Sequence, residues 1–99
     1  MCAAPAQGPT LPAGIDLTKE TVIFGTVTQG ESPVAGAYVR LLDSTGEFTA
    51  EVVTSATGDY RFFAAPGDWT LSVLHRDGKA RVSVHAAETG LIQTAISLD

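Results

Sequence analysis

From Thr21 onward, this 99-residue chain is a succession of short runs rich in β-branched and aromatic residues. The runs recur about every 12 residues and are separated by Gly, Pro, Asp and Ser, the pattern of a sandwich or barrel. No stretch carries a sustained helical period, so no helix longer than a turn is expected. Seven strands are predicted, at about 21–28, 36–43, 47–54, 60–64, 69–75, 80–85 and 91–98. Ala37, Val39 and Leu41 share one face of the second strand. In the third, Phe48, Ala50 and Val52 alternate with Glu47, Thr49 and Glu51, as a half-buried strand requires. Tyr60 with Phe62, Trp69 with Leu71 and Val73, and Ile92 with Ile96 and Leu98 complete the predicted core. The fold class is therefore all-β: a seven-stranded antiparallel β-sandwich.

Residues 1–20 read as an irregular N-terminal tail, because Pro5, Pro9, Pro12, Gly8 and Gly14 disfavour regular structure. Leu11, Ile15 and Leu17 are available to pin its later half to the domain surface. Residues 21–99 then form a single sandwich domain. A chain of this length buries roughly two-thirds of its unfolded surface, enough for one core without covalent staples.

Six basic and eleven acidic residues give a net charge of −5. The basic residues are scattered, with only Arg76, Lys79 and Arg81 close together and Asp77 among them, so nucleic-acid binding, which relies on clustered Lys and Arg, is not expected. Cys2 is the one cysteine, which precludes an intramolecular disulfide. The opening residues carry neither the basic nor the apolar segment of a signal peptide. No apolar run approaches the roughly 20 residues of a membrane span. The expected location is the cytoplasm.

Three blocks carry a resemblance. They are Gly25-Thr-Val27 with Pro33-Val-Ala-Gly-Ala-Tyr-Val-Arg-Leu41, then Thr54-Ser-Ala-Thr-Gly58-Asp-Tyr60-Arg-Phe62, then Pro66-Gly67-Asp-Trp69-Thr-Leu71-Ser-Val73. Together they resemble the carboxypeptidase regulatory-like domain, which implies a transthyretin-like (prealbumin-like) Greek-key sandwich of the broader Ig-like type. Over about residues 1–75 the chain is also similar to a small actinobacterial SseC-like family of unknown function. The start Met-Cys-x-x-Pro-x-Gln-Gly and the run Ser55-Ala-Thr-Gly-Asp-Tyr-Arg-Phe-Phe-Ala-Ala-Pro-Gly67 carry this second likeness. Members of that family tend to be encoded beside a rhodanese-type thiosulfate sulfurtransferase, so the resemblance implies a link to sulfur metabolism and such an enzyme as partner.

Cys2 is the candidate sulfur acceptor. Removal of Met1 would leave its thiol beside a free α-amino group, whose positive charge favours the reactive thiolate. The alternative is an incidental cysteine in a tail. Tyr38, Leu42 and Phe63 are each out of phase with the core face of their strand, so each is expected to point outward. Clustered, they would form the kind of apolar patch that marks a partner surface; scattered, they carry no meaning. His75 and His85 lie at predicted strand ends. Two histidines and a stray carboxylate fall short of the three or four convergent ligands of a metal centre, so no metal or cofactor is expected. Neither a Gly-x-Ser-x-Gly elbow nor a Gly-rich phosphate loop is present.

These features favour a non-enzymatic accessory or binding module, with homodimerisation through exposed edge strands as a further expectation. An enzyme on the same sandwich is the alternative. Hydroxyisourate hydrolases share the fold but end in a Tyr-Arg-Gly-Ser-type tail, whereas this chain ends Ala-Ile-Ser-Leu-Asp99. Intradiol dioxygenases use two Tyr and two His on a related sandwich, and here Tyr60 is predicted to be buried. A purely structural interaction module is a third reading.

Overall fold

A computed structural model describes residues 21–76 and 78–98. The predicted tail, with Cys2, and Asp77 lie outside the described residues. Nine strands are formed among those described: β1 (Thr21–Gln29), β2 (Ser32–Pro33), β3 (Tyr38–Leu42), β4 (Phe48–Val53), β5 (Asp59–Ala64), β6 (Gly67–His75), β7 (Gly78–Ala86), β8 (Gly90–Gln93) and β9 (Ile96–Ser97). They build two sheets. One has the order β4-β3-β6-β7, antiparallel throughout. The other centres on β1, which pairs with β5 and then β2 along one edge, and with β8 and then β9 along the other.

The predicted sandwich is present, with three corrections. The count is nine rather than seven. One addition is the two-residue stub β2, where Ser32 and Pro33 fold back on Gln29 and Thr28. The other arises because the predicted last strand divides into β8 and β9 at Thr94 and Ala95. Second, that strand is parallel to β1, not antiparallel. Having crossed over from β7, it enters the β1 sheet in the same direction as β1. Third, Phe48 does not join the core. A register shift between Leu41 and Leu42 pairs Leu41 with Ala50 but Leu42 with Phe48. The extra residue, Thr49, forms a β-bulge, and one added residue sends the next side chain to the opposite face. Phe48 is accordingly 60% exposed.

The interior follows the alternation otherwise. Val39 and Leu41 of β3, Leu71 and Val73 of β6, and Ile23 and Val27 of β1 are all buried. Tyr60 and Phe62 of β5 enter the same cluster, with Ile96 and Leu98 closing it. Trp69 is half-buried and packs against this cluster, its indole N–H donating to the Ala65 carbonyl at 2.9 Å. Each such aliphatic or aromatic side chain contributes roughly 1.5–3 kcal/mol by leaving water.

Two glycines are required by geometry. Gly58 has φ of +78°, and a Cβ there would lie 2.7 Å from the Val27 carbonyl oxygen. At Gly25 a Cβ would collide with the Thr94 carbonyl oxygen and approach the Tyr60 hydroxyl to 2.9 Å. Thr54 secures the entry to β3: its hydroxyl donates to the Val34 carbonyl at 2.7 Å and accepts from the Ala37 N–H at 2.9 Å. This buried polar group is thus fully used.

Candidate functional site

The outer face of the β4-β3-β6-β7 sheet is built by residues that alternate with core residues. Register aligns them in rows. Val53, Tyr38, Leu74 and Lys79 form one row. Glu51, Arg40, Ser72 and Arg81 form the next, and Phe48, Leu42, Thr70 and Ser83 a third. Four large apolar side chains are exposed here: Leu74 at 62%, Phe48 at 60%, Tyr38 at 51% and Val53 at 37%. A shallow groove of about 790 Å³ runs over the first two rows, with Tyr38, Ser72 and Leu74 on its floor and Lys79 and Arg81 along one side. A second hollow of about 600 Å³ lies beyond the same Tyr38–Leu74 pair and reaches His75 and Arg76.

Tyr38 and Leu42 therefore stand on one face, with Arg40 between them, and Leu42 is half-buried. Phe63 is 50% exposed but belongs to β5 in the other sheet, where it and Leu91 flank Val22. The sandwich brings two of the three predicted surface residues together and separates the third. Leu74 was legible by the same out-of-phase logic, since it follows Leu71 and Val73 of the core. Phe48 was not, because its exposure depends on the bulge.

The charged groups of this face are ordered. The Arg40 Nε donates to Glu51 at 2.7 Å, and the Arg40 guanidinium lies 5.7 Å from the centre of the Phe48 ring, within cation–π range. Asp43, beyond the end of β3, accepts from the Thr45 and Glu47 N–H groups and the Thr45 hydroxyl. These bonds, the hydroxyl's foremost, hold its carboxyl below the usual aspartate range. The acidic residues of the β3–β4 hairpin thus organise their own turn or pair across the sheet.

The two histidines stand far apart, with His75 lining the hollow beside Tyr38. His85 Nδ1 meets Asp68 Oδ1 at 2.5 Å, both side chains 71% exposed. His75 lies at the opposite end of the β6–β7 hairpin, seven rows away by register, or roughly 20 Å. The Tyr60 hydroxyl donates to the Thr94 carbonyl inside the sandwich, and burial pushes it well above the ordinary tyrosine pKa. Among the described residues no three His, Cys, Asp or Glu side chains converge as a metal-binding group. No helix there is long and apolar enough to cross a membrane.

Residues 2–98 match the model of a family described as protein of unknown function (DUF1416). Two uncharacterized proteins of Mycobacterium tuberculosis, Rv0814c and Rv3118, are each 54% identical over 99 residues, covering 99% of either chain. An uncharacterized protein of Mycolicibacterium smegmatis is 53% identical over 89 residues, covering 89% of this chain and 99% of that one. Among solved structures, chlorocatechol 1,2-dioxygenase from Pseudomonas putida superposes with a TM-score of 0.63 at 13% identity, covering 93% of this chain and 70% of that one. Klebsiella pneumoniae 5-hydroxyisourate hydrolase gives 0.55 at 21% identity, covering 78% of this chain and 86% of that one. The Bacillus anthracis TIE protein gives 0.69 at 15% identity, covering 79% of this chain and 17% of that one. At such identities the likeness is one of fold, the transthyretin-like sandwich.

Proposed function

We propose that this chain, which belongs to the DUF1416 family of unknown function, is a cytoplasmic, non-enzymatic accessory module of sulfur metabolism that docks onto a rhodanese-type sulfurtransferase. The observation that carries the docking reading is the row Val53–Tyr38–Leu74, three exposed apolar side chains side by side on one rigid sheet face. The largest contiguous apolar patch on a protein surface is often functional. The sulfur link is supported by the resemblance of residues 1–75 to the SseC-like family.

In the sharper form of the proposal Cys2 accepts sulfur from the enzyme. The Cys2 thiolate attacks the outer sulfur of the enzyme's persulfide. A new S–S bond forms on Cys2, the enzyme's S–S bond breaks, and the enzyme's cysteine leaves as thiolate. Docking and transfer are tested separately. Calorimetric titration of the full chain with the purified sulfurtransferase is expected to show saturable binding, and none would remove the partner. Intact mass spectrometry after incubation with enzyme and thiosulfate is expected to show one added sulfur atom, lost in Cys2→Ser. Unchanged sulfur loading of Cys2→Ser would remove the carrier role and leave docking standing.

Pairing of two copies along an edge strand is a separate element. β7 is the longer edge of its sheet, nine residues without proline, and sedimentation of the purified chain tests it.

A further inference from the structure

Among the described residues, those lining the two hollows on the outer face of the β4-β3-β6-β7 sheet carry a charge opposite in sign to that of the chain. The sequence carries −5 overall, yet four of the five described basic residues, Arg40, Arg76, Lys79 and Arg81, line the two hollows beside Tyr38 and Leu74. Among the described residues, the one carboxylate lining these hollows, Glu51, is held by Arg40. Lys79 and Arg81 are exposed, and among the described residues neither has an ion-pair partner. Arg76, Lys79 and Arg81 are already close in the sequence, and Arg40 joins them only when β3 pairs with β6 and β6 with β7.

We infer that this face binds an acidic, apolar segment of a partner protein: an extended stretch in which carboxylates flank an aromatic or aliphatic side chain. The sheet supplies each half of that recognition. Tyr38 and Leu74 are directly opposed in register and present an apolar floor. Lys79 stands next to Leu74, and Arg81 next to Ser72, in the adjoining strand, so an apolar anchor over Tyr38–Leu74 places neighbouring carboxylates within reach of two cations. Ser72 offers a hydroxyl between them. Steering by such a basic patch raises the association rate and rejects basic partners. A nucleic-acid strand fits less well, since a long polyanion would meet the net negative charge of the rest of the molecule. The inference rests on the docking reading above but not on sulfur chemistry or on Cys2.

The test is a titration of the isotope-labelled full chain, followed by amide chemical shifts, with two synthetic peptides. One is Glu-Phe-Glu-Leu-Asp-Phe-Glu with blocked ends; in the other every acidic residue is replaced by lysine. The acidic peptide is expected to move the amides of Tyr38, Ser72, Leu74, Lys79 and Arg81 saturably, and the basic peptide to leave them in place. In the double variant Lys79→Glu/Arg81→Glu, whose unchanged amide pattern elsewhere reports an intact fold, affinity for the acidic peptide is expected to fall about tenfold or more. No saturable shift with the acidic peptide, an equal response to the basic one, or shifts centred on the other sheet would overturn the inference. So would tighter binding of oligothymidylate at the same amides, which would reassign the face to single-stranded nucleic acid. Binding of the acidic peptide without binding of the sulfurtransferase would retain this inference and discard the named enzyme.

Discussion

The Tyr60 hydroxyl donates a hydrogen bond to the carbonyl oxygen of Thr94, at the point where the final strand breaks into β8 and β9. Tyr60 faces Gly25 across the β1–β5 pair, so one phenol ties β5 to the far edge of β1. Its pKa is raised by burial. In the unfolded chain the phenol ionises near pH 10, whereas in the fold it stays neutral. The resulting stability is complete below about pH 10 and is lost as pH rises towards the folded value. Urea unfolding is therefore expected to show falling stability above about pH 10. Tyr60→Phe should lack that component and lose about 1–3 kcal/mol at neutral pH, because the Thr94 carbonyl is left without its donor. Equal neutral stability of the two proteins would mean that the bond holds nothing together.

Gly25 provides the space for that bond. A methyl group there meets the Thr94 carbonyl and the Tyr60 hydroxyl together, both fixed by the sheet. Gly25→Ala is expected to cost about 3 kcal/mol or more, or to prevent folding. Gly30→Ala is the informative contrast. Its φ of +63° is strained for alanine, but nothing lies within 4 Å of the added carbon, so a loss of about 1 kcal/mol is expected. Thermal unfolding of the two variants side by side separates collision from backbone strain, and equal losses would deny the collision.

Much of this architecture was legible in the residues. Period-two alternation located Val39, Leu41, Leu71 and Val73, because each strand buries a single face, and Gly58 marked a turn that only glycine adopts at low cost. The break at Thr94 was not legible: the Thr94 carbonyl sits over Gly25, a contact between residues far apart in sequence. The site was legible in halves. Tyr38 and Leu42 were marked by phase, and Arg76, Lys79 and Arg81 by their closeness in the sequence, but Arg40 joins them only through strand pairing. Phe63 shares the phase signal and yet lies on the other sheet; alternation reports inside against outside, not which outside.

The bulge at Thr49 yields a sharper comparison. Phe48 and Phe62 are both aromatic strand residues that a period-two reading places inside. Phe62 is 3% exposed and packs at 6.3 Å, centre to centre, against Tyr60. Phe48 projects from the outer face beside Arg40. Phe62→Ala is expected to cost about 3–5 kcal/mol, and Phe48→Ala less than about 1 kcal/mol, most of it the lost cation–π contact. Comparable losses for the two in denaturant unfolding would show that Phe48 is buried in solution and the bulge absent.

The proposed docking face makes the remaining prediction, and it turns on separating folding from binding. Leu74 is 62% exposed with its side chain outside the core, so Leu74→Asp should cost no more than about 1 kcal/mol of stability, the span of strand propensity. At the centre of an interface, the same change strips an apolar anchor and buries a carboxylate. Such positions typically cost about 2 kcal/mol or more, so binding of the sulfurtransferase should weaken by about thirtyfold or more. Tyr38→Ser should act in the same direction. Phe63→Ser is the control, because Phe63 is comparably exposed but stands in the other sheet, and it should leave binding unchanged. If Phe63→Ser abolished binding and Leu74→Asp did not, the partner would sit on the β1 sheet, and the face built around Tyr38 and Leu74 would be bare in the complex.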